Sequence, residues 1–167
     1  STNYSGTSLT FVATGEMSVQ ANFALAVQDY VVSPTTGELN NGTSKSSTWT
    51  SNEFSGFTLT ATSNSSPSNS ISTVNGQHKF YAFDHDQSAA VTYTLSVPDG
   101  YVITGYSMTF TKSTESITVS NSTSSATTIL SAEGLSEQST SFTVSGTAAN
   151  EAITVTNFTV TIQSEGG

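Results

Sequence analysis

Both histidines of the chain, one of its three lysines and two closely spaced carboxylates fall in one stretch, Asn75-Gly-Gln-His78-Lys79-Phe80-Tyr81-Ala-Phe83-Asp84-His85-Asp86-Gln87. Sugars are bound by aromatic faces that stack on C–H patches, while planar acid and amide groups fork the hydroxyls. His78, Lys79, Tyr81, Asp84, His85 and Asp86 supply those groups and make a candidate glycan-binding edge. The same residues also read as a plain strand over 78–83 that runs into a polar turn capped by Asp84 and Asp86. A divalent cation at Asp84, His85 and Asp86 is a third reading. Ca²⁺, however, takes six to eight oxygens, and two carboxylates without a loop of known spacing fall short of that. No cofactor or metal is therefore expected.

Catalysis lacks a candidate group. Glycoside hydrolysis needs two acids about 5–9.5 Å apart across a cleft, and Asp84 and Asp86 would share one strand face. There are 31 serines but no Gly-x-Ser-x-Gly elbow, no cysteine and no phosphate-binding glycine loop. The expectation is a chain that binds rather than turns over.

Trp49, the sole tryptophan, lies in Ser44-Lys45-Ser-Ser-Thr-Trp49-Thr. Its hydroxylated neighbours suit an exposed stacking platform on a long polar loop, 33–52. The alternative is one core residue of a strand.

The elements that would hold these groups follow a period of two. Val91-Thr-Tyr93-Thr-Leu95-Ser-Val97 alternates apolar and hydroxyl residues, as does a strand with one buried face. Phe57–Ala61, Ile117–Val119 and Phe142–Val144 repeat the pattern. Thr is β-branched and suits the wet side of a pleated sheet. Pro98-Asp99-Gly100 is a turn sequence, and it predicts a hairpin that pairs strand 91–97 with strand 101–111. Two strands change phase midway: 101–111 around Gly105 and 152–162 at Asn157. Such slips mark β-bulges or strands that pass between sheets. Residues 17–31 fit strand alternation, favoured in an all-β chain, but also a helical stripe. A second polar loop is expected over 63–69. The fold expected is an all-β antiparallel β-sandwich, a jelly roll, forming one domain over 1–163, with Ser164-Glu-Gly-Gly as the start of a linker.

Composition narrows the partners. Three Lys, no Arg and twelve acids give a net charge of −9, and Ser plus Thr number 61 of 167. Nucleic acid requires a basic footprint, which this chain lacks. No stretch approaches the ~20 apolar residues of a membrane-spanning helix. Nine Phe and six Tyr set in regular alternation speak against disorder.

The stretch Val91-Thr-Tyr-Thr-Leu-Ser-Val-Pro98-Asp-Gly100-Tyr101-Val-Ile-Thr-Gly105-Tyr106-Ser-Met-Thr-Phe110 resembles the non-catalytic β-sandwich modules attached to secreted bacterial sialidases and related glycan-degrading enzymes. Phe142-Thr-Val-Ser-Gly146 and Val155-Thr-Asn-Phe158-Thr-Val-Thr-Ile162 fit the same modules, whose last strand returns beside the hairpin. The resemblance covers about half the chain, 75–163. It implies a secreted or cell-surface carbohydrate-binding module that holds a catalytic domain of the same polypeptide on host or mucin glycan. The partner enzyme suggests sialic acid, whereas the missing arginine disfavours it, because a bidentate guanidinium commonly meets that carboxylate. Neutral galactosyl or N-acetylhexosamine ends remain open. The competing class is a stalk or adhesin domain without a small ligand, for which a Lys112–Asn157 crosslink would be a mark.

Overall fold

The computed structural model describes residues 14–16, 27–32, 39–40, 45–46, 48–62, 71–74, 77–82, 90–120, 129–148 and 151–166. Among these, the chain forms β1 (Asp29–Val32), β2 (Leu39–Asn40), β3 (Lys45–Ser46), β4 (Thr48–Ser51), β5 (Thr58–Thr62), β6 (Ile71–Val74) and β7 (Gln77–Tyr81). It continues through β8 (Ala90–Ser96), β9 (Tyr101–Lys112), β10 (Thr118–Val119), β11 (Ile129–Glu137), β12 (Ser139–Ser145) and β13 (Ala152–Ser164). One sheet has the order β11-β9-β13-β7-β6-β3, with β1 also paired to β13, and the other has the order β10-β12-β8-β5-β4-β2. Each pairing is antiparallel. The fold is an all-β antiparallel sandwich, as the alternation predicts.

The inner faces meet in a single apolar cluster. Val91, Tyr93, Leu95 and Val97 all point into it, while Thr92, Thr94 and Ser96 are half-buried on the other face of β8. Phe80 stacks on Tyr93 at 4.9 Å, and Tyr93 stacks on Phe142 at 5.3 Å. Strands from both sheets are joined there. The Tyr93 hydroxyl donates to the Tyr81 carbonyl at 2.6 Å, which satisfies a phenol whose burial pushes its pKa well above the usual value.

The expected hairpin between 91–97 and 101–111 does not form. Pro98-Asp-Gly does make its turn: the Tyr101 amide donates to the Pro98 carbonyl at 3.3 Å, and Gly100 takes φ +85°, which favours glycine. The turn instead carries the chain from one sheet to the other. β8 bonds to β5 and β12, and β9 bonds to β13 and β11, so both sides of each strand are filled within its own sheet. Turn residues specify the reversal but not whether the returning strand pairs alongside or packs face to face. The last strand does lie beside β9.

Both phase slips are β-bulges. In the β9–β13 ladder, Gly105 pairs with Thr161 and Ile103 with Ile162, leaving Thr104 extra. On the partner strand, Phe110 pairs with Val155 and Thr109 with Asn157, leaving Thr156 extra. The Thr156 hydroxyl donates to the Thr109 carbonyl at 3.1 Å, binding the bulged residue back to the neighbouring strand.

The polar stretch 33–52 is not simply a loop, because β2, β3 and β4 lie within it. Of the ambiguous segment 17–31, residues 29–31 belong to strand β1, whereas 17–26 lie outside the described residues, as does the expected loop 63–69.

Candidate functional site

Period-two geometry divides the sequence-predicted site between the two faces of a sheet. In β7, His78 and Phe80 point inward while Lys79 and Tyr81 are half-buried on the other face. Trp49 in β4 also points inward, between exposed Thr48 and Thr50. The structure does bring Trp49 and His78 together, with ring centroids 4.8 Å apart and planes at 84°. The contact is an edge-to-face pair inside the sandwich. Trp49 is 1% exposed and His78 4%, so neither offers a face to a ligand. The exposed-platform reading of Trp49 is corrected by this burial: its hydroxylated neighbours are the wet side of a strand. Its Nε1 is buried with no hydrogen-bond partner among the described residues. Asp84, His85 and Asp86 lie outside the described residues.

Lys79 belongs to a backbone register row across the larger sheet. Thr111 pairs with Thr154, Thr154 with Lys79, Lys79 with Ser72, and Ser72 with Lys45. Lys112 follows Thr111 on β9. By backbone register, the three lysine positions therefore fall toward one end of one sheet.

At the other end of the same sheet is a groove that sequence reasoning missed. A second row runs Glu133–Gly105–Thr161–Val31 across β11, β9, β13 and β1. Beside it lies Ser131–Ser107–Thr159. Glu133 and Ser107 are exposed, Thr159 and Thr161 are half-buried, and Val31 is 57% exposed. Gly105 contributes no side chain to its row. A Cβ there would lie 2.9 Å from the Ala132 carbonyl oxygen, a backbone atom that cannot swing away. Beside this close approach lies a groove of about 230 Å³, lined by Gly105, Tyr106, Ser107, Thr159 and Thr161 with Ala132 and Glu133 on its β11 side. That volume is below the roughly 300–1,000 Å³ of drug-sized sites and suits one small ring. The available signal was the phase slip itself, since a glycine inside a strand marks a bulge or a close backbone approach.

The groove offers hydroxyls that both donate and accept, and one carboxylate that accepts at two oxygens. No hydrogen bond to the Glu133 side chain occurs among the described residues. The same residues hold no group of three His, Cys, Asp or Glu side chains placed to share a metal ion.

Glu151 is the other acid that sequence reasoning passed over, and its environment is the opposite of that of Glu133. Its Oε1 accepts from the Ser116 hydroxyl and, at 2.6 Å, from the Thr114 hydroxyl. Its Oε2 accepts from the Thr147 and Ala148 amides at 2.5 and 3.0 Å. The Ser116 and Thr114 hydroxyls, then the two amides, hold the carboxyl down to about 2 against the opposing effect of desolvation. Four donors leave little room for a ligand, and the carboxylate serves as a latch between the β9–β10 and β12–β13 connections.

The crosslink expected of a stalk domain finds no matching register. Asn157 pairs with Thr109 and Lys112 with Ile153, an offset of three residues, or about 10 Å along the strand. The chain matches no family model, curated protein or solved structure.

Proposed function

We propose that this domain is a non-catalytic, secreted or cell-surface carbohydrate-binding module that holds a glycan-degrading catalytic domain of the same polypeptide on host or mucin glycan. The observation that carries the reading is the groove at Gly105. It is a concave site of one-ring size on the outer face of a sheet, lined by three hydroxyls and a carboxylate. A sugar there exchanges hydrogen bonds to water for bonds to Ser107, Thr159, Thr161 and Glu133, and the net gain per bond is modest. Weak, wet binding follows, and it suits a module that must hold and release an insoluble substrate. The sparse charge and the abundance of Ser and Thr support the same reading, because a hydroxylated surface competes for sugar without attracting polyanions. The resemblance to sialidase-associated modules supports the class.

The test begins with a glycan array and continues with thermal melts in the sugar that binds. At about ten times Kd, a bound ligand adds about 1.4 kcal/mol, which raises the melting temperature of a domain this size by about 3–6 °C. The double variant Ser107→Ala, Thr161→Val should keep the unliganded melting temperature and lose most of the rise. A blank array overturns the proposal, and so does an undiminished rise in the variant.

A further inference from the structure

We infer that the groove takes uncharged sugars and rejects acidic ones, and that Glu133 is the specificity-determining residue. The inference rests on the glycan-binding reading and concerns the same site. Glu133 is the one carboxylate lining the groove among the described residues. It stands across Gly105 from Thr161, two strand spacings or about 10 Å apart between backbones. A hexose lying over Gly105 can give two neighbouring hydroxyl protons to the Glu133 carboxylate while Thr161, Ser107 and Thr159 bond its far edge. A carboxylate on the ligand has no counterpart here.

The lysine positions on the backbone lie too far away to supply one. Thr111 marks the lysine row on β9, six residues from Gly105, which is about 20 Å at roughly 3.4 Å per residue. That is more than two screening lengths at physiological salt. Arginine is absent from the chain, and the net charge of −9 opposes an anion at longer range. A partner enzyme that cleaves sialic acid would then be held by the neutral sugars of the same glycan rather than by the residue it removes.

The test compares sugars that differ in a single group. Methyl galactoside and methyl glucoside carry CH₂OH at C6 where the corresponding methyl uronides carry a carboxylate. Titrations at pH 7 with these four and with sialyllactose should show the uronides binding at least about fivefold more weakly than the neutral glycosides, the size of repulsion between two unit charges ~4 Å apart in water. Glu133→Gln should bring each pair to within about twofold, by weakening the neutral sugar and relieving the uronide. Its melting temperature should stay unchanged, since the side chain is exposed. Neutral binding in Glu133→Gln equal to that of the unaltered domain overturns the inference. Uronides or sialyllactose binding as well as the neutral sugars also overturns it, and loss of that binding in Lys79→Gln would place the site at the lysine row. If none of these sugars binds and the glycan array is blank as well, the glycan-binding reading fails and the inference falls with it, whereas an array that shows only acidic glycans bound overturns the inference alone.

Discussion

Replacing Trp49 with Ala distinguishes a core tryptophan from a ligand platform. The indole is 1% exposed, packs edge-to-face against His78 and sits opposite Leu59 in the β4–β5 ladder. Truncating so large a buried side chain costs about 3–5 kcal/mol. In a domain of this length each kcal/mol moves the melting temperature by about 2–4 °C, so the variant should melt about 6–20 °C lower. Trp49→Phe should cost less than half as much. It keeps an aromatic ring against His78 and removes a buried N–H whose missing partner is itself unfavourable by about 1–3 kcal/mol. The assay is simple because the chain has a single tryptophan: intrinsic fluorescence during thermal or urea unfolding reports one site in the unaltered domain, and circular dichroism follows the variants. The native emission should be blue-shifted and poorly quenched by acrylamide, moving to the red on unfolding. A Trp49→Ala variant that melts within about 2 °C of the unaltered domain, or a native emission like that of free indole, would refute the reasoning.

Glu151→Gln should lower the melting temperature at pH 7 by several degrees, because an amide nitrogen would face the donors that now converge on the carboxylate. The folded-state value of about 2 lies below the ordinary 4.5. The carboxylate's contribution is therefore complete above about pH 4.5 and lost as the pH falls toward 2. The gap between the two melting curves should close over that window, and a pH-independent gap would count against the latch. Gly105→Ala should destabilise by about 1–3 kcal/mol, as over-packing against a fixed atom does, here the Ala132 carbonyl. Urea midpoints measure it, and an unchanged midpoint would mean that β11 moves aside freely.

Much of the fold was legible because strand alternation carries physical information at each residue. Val91, Tyr93, Leu95 and Val97 could share a face in only one way, and the slips near Gly105 and Asn157 could be accommodated only by an extra residue or a change of sheet. The partner of strand 91–97 was not legible, since Pro98-Asp-Gly100 serves equally for a hairpin and for a crossing between sheets. Trp49 misled for a related reason: the Thr residues on either side mark the solvent face of a strand as readily as they mark a loop. The groove residues carry no local mark. Ser107, Thr159 and Thr161 are three hydroxyls among 61, and Glu133 comes beside them only through the β11–β9 pairing. Glu151 is similar, since its hydroxyl donors lie 35 and 37 residues away in sequence.

The most direct measurement of sugar binding at the Gly105 groove is a ¹⁵N-resolved NMR titration of the domain with a neutral methyl hexoside. Binding at the groove predicts fast-exchange shifts concentrated on the amides of Gly105, Ser107, Ala132, Glu133, Thr159 and Thr161, with those of Lys79 and Tyr81 at the far end of the sheet unmoved. No shifts at saturating sugar, or shifts centred on Lys79 and Tyr81 with the Gly105 amide unmoved, would contradict it.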